Sequence, residues 1–402
     1  MYTPAYLLFT SLAVFSAVGA TPSSPFDVAM LTAHDGSISA SFMAFGATLT
    51  QLLVKNKDGK PVDVVPGFDN TSRWMTDGNH IISHFFCIYA SMPFLSPFYN
   101  GCIGRYANRI KNGTFSIPIT EYPQSDGPNV YHTPLNDHNG DDTLHGGIRG
   151  WDLRNWTTVR TSPTSVTYQH FDPADEGFPG TVVVTATYTV HNGGILSMSV
   201  HANASEKTPI MVTHHDYFNL CLQDGCDNIL GHTIQISASR RIEVDGDAIP
   251  TGKLLDVSDT PYDFRKGRTL GAAFEADTQF QGYDNALIYD YPEDKRDSSE
   301  VLTTLYSNVS GIRLDIRSNQ PAVQVYTASL NLLRKGVHGG PGKLYGERST
   351  VAIEQEGWID AINTPEWGVD QICESRNGGF FSPTYILAGR FSGATLYMER
   401  GV

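Results

Sequence analysis

The sequence predicts an all-β protein, one large antiparallel β-sandwich with few short helices, and three observations carry that prediction. Gly and Pro are abundant, 38 and 22 of 402 residues, while charged residues make up only 17%, a balance that suits short strands and tight turns over long helices. Hydrophobic residues reach 40% and aromatics 11%, enough to build a sizeable core. Short runs of alternating apolar and polar residues recur along the chain, and no stretch between them reads as a long amphipathic helix.

In chain order, the run at 47–55 is followed by Asn56-Lys57-Asp58-Gly59-Lys60 and then by 62–65, which predicts a hairpin. Runs at 182–190 and 195–202 flank Asn192-Gly193-Gly194, and Asn and Gly tolerate the positive φ that tight turns need. Further strands are predicted at 234–236, 286–289, 312–316 and 322–327. Residues 81–95, IISHFFCIYASMPFL, are strongly apolar without alternation and read either as an insertion packed on the core or as a poorly ordered one. No internal repeat, low-complexity linker or charge shift divides the remainder, so residues 21–402 are expected to form a single domain.

The first twenty residues carry no charged side chain and hold an apolar run from Leu7 to Val18 before Gly19-Ala20. That pattern predicts a signal peptide cleaved after Ala20 and a secreted protein; the run is short for a bilayer span. Asn-x-Ser/Thr sequons at Asn70, Asn112, Asn155, Asn203 and Asn308 are the expected glycan sites. The five cysteines are too few and too irregular for a disulfide-built fold, yet Cys221 and Cys226 flank a short loop and are placed to pair in an oxidising compartment. The net charge of -14 with no basic run argues against nucleic acid and anionic membranes as partners. No metal-binding or nucleotide-binding motif is present in the sequence, and no cofactor is expected.

Four segments put polar residues into apolar surroundings, where an unpartnered polar group costs about 1 to 3 kcal/mol. They are GRYANRI at 104–110, TLHGGIRGW at 143–151, THHDYFNL at 213–220 and VAIEQEGWIDAIN at 351–363. Singly, each has an ordinary structural reading: a histidine beside glycines, a glutamate at a strand end, arginines holding loops. Together, and in order, they resemble the aldose 1-epimerase (galactose mutarotase) family. The resemblance also takes in FGAT at 45–48, NKDGKPVDVVPGFD at 56–69, EGFPG at 176–180, IPTG at 249–252, YDFR at 262–265, GYDN at 282–285 and QPAVQVYT at 320–327.

This resemblance implies the large galactose mutarotase-like β-supersandwich, a free monosaccharide as substrate, no cofactor, and a monomer or weak dimer. It implies His215 as the acid toward the ring oxygen and Glu354 as the base that removes the anomeric hydroxyl proton. His145 is implied as a second histidine at the reacting end; Arg105, Asp284 and Gln324 as holders of sugar hydroxyls; and Tyr217 as a pocket wall. The pairing makes chemical sense, because concerted transfer of one proton from O1 and another to O5 builds no full charge on either oxygen. The sequence departs from the family at His214, where Asn is usual, and at Gln355 and Glu356, where Thr and Gln are common. The extra carboxyl of Glu356 is placed to raise the pKa of Glu354 or to bind a hydroxyl. Two other readings stand beside this one: a sugar-binding protein that has lost catalysis, and a glycosidase using Glu354 and Asp360. A phosphorylated sugar suits neither the acidic balance nor the leader.

Overall fold

The computed structural model describes residues 24–76, 98–120, 123, 127–291, 300–330 and 332–373, and the backbone alone at 375–376, 379–380 and 384–393. The predicted leader and the 81–95 segment lie outside the described residues.

The chain is mostly β. Its main sheets have four, nine and six strands, all paired antiparallel, with several two-stranded ribbons between them. The four-stranded sheet runs in sequence order from Val28–Thr32 through Ile38–Met43 and Thr48–Lys55 to Pro61–Asp63. Turn chemistry sets the hairpin: Asn56 Oδ1 accepts the N–H of Asp58 at 3.1 Å and of Lys60 at 3.0 Å, a local bond that short polar side chains favour. The Val182–His191 and Ile195–Ala204 strands pair over their full length up to His191 and Ile195, so the Asn-Gly-Gly turn lies where the sequence puts it.

Alternation shows directly in burial. Along Val182–His191, Val182, Val184, Ala186, Tyr188 and Val190 point inward and are at most 2% exposed, while the residues between them are half-buried or exposed. Each buried aliphatic of this kind contributes about 1.5–3 kcal/mol. One apolar core joins the sheets, with Leu52 from the four-stranded sheet, Val184 and Leu314 from the nine-stranded sheet, and Val323 and Val351 from the six-stranded sheet in the same cluster. Among the described residues the α-helices are short, Arg73–Thr76 and Ala272–Ala276. Cys221 and Cys226 form a disulfide.

The expected architecture and the observed one differ in how the strands are divided. Register breaks, such as those between Ser41 and Phe42 and between Ala238 and Arg240, and strands as short as Tyr217–Phe218 split the structure into several sheets. Such breaks twist and end pairing locally and leave no mark in hydrophobic patterning. The six-stranded sheet orders Tyr217–Phe218, Thr350–Glu356, Ala322–Ala328, Asp284–Tyr289, Ala238–Val244 and Pro250–Asp256, and it carries the chemistry.

Candidate active site

Residues directly opposite in an antiparallel pair share a face, so the register of the six-stranded sheet lays out the site. Tyr217 is opposite Ala352, Ala352 opposite Tyr326, and Tyr326 opposite Asp284. In the next row Glu354 pairs with Gln324, and Gln324 with Ala286. One row further, Glu356 faces Ala322, which faces Ile288. Two carboxylates, a carboxamide, an aspartate and two tyrosines therefore share one face of a sheet whose other side feeds the apolar core through Val323, Val325, Val351 and Ile353.

The segment 213–218 brings the imidazole to this face. The backbone of His215 donates its N–H to the carbonyl of Gly101 at 3.0 Å, and its carbonyl accepts the N–H of Asn100 at 3.1 Å. Asn100 fixes the next residues too, since its Oδ1 accepts the N–H of Tyr217 at 2.9 Å while its Nδ2 donates to the carbonyl of Pro66 at 3.0 Å. Neighbouring His214 serves elsewhere: its Nδ1 lies 2.7 Å from Asp216 Oδ1, and its ring meets Tyr188 edge-on in the core. His215, not His214, meets Glu354, with Nε2 and Oε2 3.3 Å apart. Tyr217 flanks the His215 ring at 4.9 Å between centroids.

His145 arrives from a loop in which three successive residues are left-handed, with φ of 52° at His145, 87° at Gly146 and 105° at Gly147. A side chain at 146 is excluded, because a Cβ there would stand 2.1 Å from the carbonyl oxygen of Gly104; the glycine lets two backbones touch. The His145 ring packs edge-on against His215 at 5.2 Å, and Phe98 covers both imidazoles. His145, His215 and Glu354 each bring one ligand-type atom within 4.8 Å of the others. This is a donor set a divalent ion accepts and equally an acid-base cluster.

Burial governs the protonation states. It holds His215 down at about 3 and His145 well below the usual histidine range, with the second imidazole adding to the effect on His145. It drives Glu354 well above the usual carboxyl range, reinforced by Glu356 and Asp284 and opposed by Arg109. Glu356 is pushed up to about 8 by burial, against a hydrogen bond from Asn108. Desolvation thus favours a neutral imidazole beside a protonated carboxyl. One proton moved across the 3.3 Å contact gives the imidazolium-carboxylate form.

Asp284 and Gln324 meet on the same face, Gln324 Nε2 donating to Asp284 Oδ1. Arg105 requires correction. It is 1% exposed, and its guanidinium is committed to Asp172, with Nε 3.0 Å from Oδ2 and Nη2 2.7 Å from Oδ1, while Nη1 bonds the carbonyls of Pro179 and Gly180 and the hydroxyl of Thr208. A guanidinium so buried and so bonded braces the loops. The functional end of GRYANRI is its second half. Asn108 Nδ2 donates to Glu356 Oε1 at 2.9 Å, and Arg109, bonded to Asp137 at 2.8 Å, is the cation whose field acts on Asp284, Glu354 and Glu356. The signal for them was the spacing from 105, which a strand reading cannot convert into direction. Asp360 is also placed: Asn363 Nδ2 donates to its Oδ1 at 2.7 Å and the N–H of Lys111 at 3.3 Å, so this oxygen is engaged by its own loop and by the Lys111 backbone.

Residues 29–377 match the family described as Aldose 1-epimerase. The chain belongs to the aldose 1-epimerase family. Among curated relatives it is 33% identical over 398 residues, 89% of this chain and 84% of the relative, to a protein of Arthroderma benhamiae named "Probable aldose 1-epimerase". It is 32% identical to human galactose mutarotase, covering 87% of this chain and 91% of that one. A solved aldose epimerase homologue from C. elegans superposes with a TM-score of 0.76 at 26% identity, covering 92% of this chain and 99% of the other. The chain is therefore an isomerase of the aldose 1-epimerase class, and His145, His215, Asp284, Gln324 and Glu354 lie together in the fold of that family.

Proposed function

We propose that this protein interconverts the α and β anomers of a free aldose of the glucose or galactose type, with Glu354 as base and His215 as acid. The observation that carries the reading is the 3.3 Å approach of His215 Nε2 to Glu354 Oε2 on a buried face lined by hydroxyl-binding groups. Glu354 takes the proton of the anomeric hydroxyl as His215 gives one to the ring oxygen. The C1–O5 bond breaks, C1 becomes the aldehyde carbon, and rotation about C1–C2 followed by the reverse transfers delivers the other anomer. The proton count returns to its start, so no redox partner is needed. His145 supports the imidazole, while Arg109, Asp284 and Gln324 orient the ring by charge-assisted and neutral hydrogen bonds.

Polarimetry of freshly dissolved α-glucose tests the reading. Catalysed mutarotation is expected; a rate equal to the spontaneous one with folded protein defeats it, and sugar binding by calorimetry without acceleration would select the inactive binding protein instead.

We further read the chain as a secreted glycoprotein released after Ala20 and acting as a monomer or weak dimer. All five sequon asparagines are exposed, which supports the glycan reading. N-terminal sequencing of protein secreted by a eukaryotic host should begin at Thr21, glycosidase treatment should lower its apparent mass, and sedimentation gives the assembly state.

A further inference from the structure

Glu356 stands two residues beyond Glu354 on the same strand, so both side chains project from one face. Opposite it lies only the methyl group of Ala322, and Glu356 is fully buried. Its Oε1 accepts Asn108 Nδ2 at 2.9 Å, whereas its Oε2 has no hydrogen-bond partner among the described residues. A carboxamide would accept the Asn108 bond equally well. What the carboxyl adds is a second ionisable acid beside the base.

The groups that act on this pair come from every element around it. Asp284 acts from the strand beyond Ala322–Ala328, Arg109 and Asn108 from the 104–110 segment, and His215 and His145 close the other side. Asn108 also holds His145 directly, for its backbone carbonyl accepts the N–H of His145 and its own N–H donates to His145 Nδ1. One side-chain bond therefore links Glu356 to the residue that aims the second histidine.

We propose that Glu356 is a positioning residue with two effects: through Asn108 it steadies the loop that presents His145, and through its charge beside Glu354 it sets the pH range in which Glu354 accepts a proton. The proposal rests on the acid-base reading of the site. Of the two acids, Glu356 alone receives a hydrogen bond that favours its ionised form, so it takes the negative charge first. A like charge in place holds the next proton on Glu354 to higher pH.

The test compares Glu356→Gln with Glu356→Ala on the full chain. For each protein, kcat/KM for mutarotation is followed against pH. The carbonyl stretch of the buried protonated carboxyl of Glu354, identified by its disappearance in Glu354→Gln, is titrated by infrared spectroscopy. In Glu356→Gln, which keeps an acceptor for Asn108, the acid limb of the rate profile and the infrared titration of Glu354 should both move down by about one pH unit, with the plateau rate retained. Glu356→Ala, which also loses the Asn108 bond, should show the same shift and in addition a lower plateau kcat, by about tenfold. Coincident profiles for wild type and Glu356→Gln overturn the charge effect, and equal plateaus for the two variants overturn the positioning. If the wild type fails to accelerate mutarotation, the catalytic reading falls, while the infrared shift still decides whether Glu356 controls Glu354.

Discussion

Asn108 and His145 are bonded to each other twice: the imidazole Nδ1 accepts the Asn108 N–H at 2.9 Å, and the Asn108 carbonyl accepts the His145 N–H at 3.0 Å. Both residues are left-handed, with φ of 57° and 52°. Because Nδ1 is an acceptor, neutral His145 carries its proton on Nε2. Nitrogen-15 NMR of the ring should show an unprotonated Nδ1 and a protonated Nε2 near neutral pH; the opposite tautomer contradicts this geometry.

His215→Asn and Glu354→Gln should each lower kcat by ~10²-fold or more with the thermal transition preserved. The two groups act as a unit, so the double variant should be scarcely slower than the worse single one. Multiplicative losses in steady-state rates would show that they act independently.

The two arginines of GRYANRI should separate cleanly. Arg105→Ala breaks a buried pair with Asp172 and should cost about 3–5 kcal/mol of stability, read from chemical denaturation. Arg109→Ala should raise KM about tenfold or more through loss of a charge-assisted contact and leave stability nearly unchanged. Exchange of these two phenotypes would reverse their assigned roles.

Asp152 is buried, and burial lifts its pKa to about 7. A folded pKa above the unfolded one means stability is fully present below about 4 and is lost as the pH rises toward 7. Asp152→Asn should therefore gain on the wild type across that window and hold a constant difference above it. A pH-independent difference in denaturation midpoints would refute the shift.

The trio of His145, His215 and Glu354 works as acid and base in this scheme. Extended dialysis against EDTA should leave the mutarotation rate unchanged, whereas a loss restored by added zinc would make the trio a metal centre.

Much of the fold was legible in the sequence because the β periodicity is strong where strands are long. The runs at 182–190 and 195–202 appear as Val182–His191 and Ile195–Ala204, and 322–327 as Ala322–Ala328. The motif order likewise located His145, His215, Asp284, Gln324 and Glu354. Two things were hidden. Direction was one: Arg105 and Arg109 look alike in GRYANRI, and only the backbone decides which guanidinium turns to Asp172 and which toward the acids. Long-range register was the other, for nothing local says that Glu354 lies beside Gln324 or that Asn108, 248 residues away from Glu356, reaches it. His214 and His215 were separable only by spacing to YFNL, and their opposite orientations follow from the extended backbone between them.

The rows of the six-stranded sheet also bear on how this protein can be altered. Every polar group on the Thr350–Glu356 and Ala322–Ala328 strands owes its address to a parity rule. Inserting one residue upstream in either strand would hand the pocket to Ile353, Gln355 or Val323 and send the acids into the oil. Redesign of specificity therefore belongs to substitutions within the strands and to length changes in the bordering loops, where the count of odd and even positions is left intact.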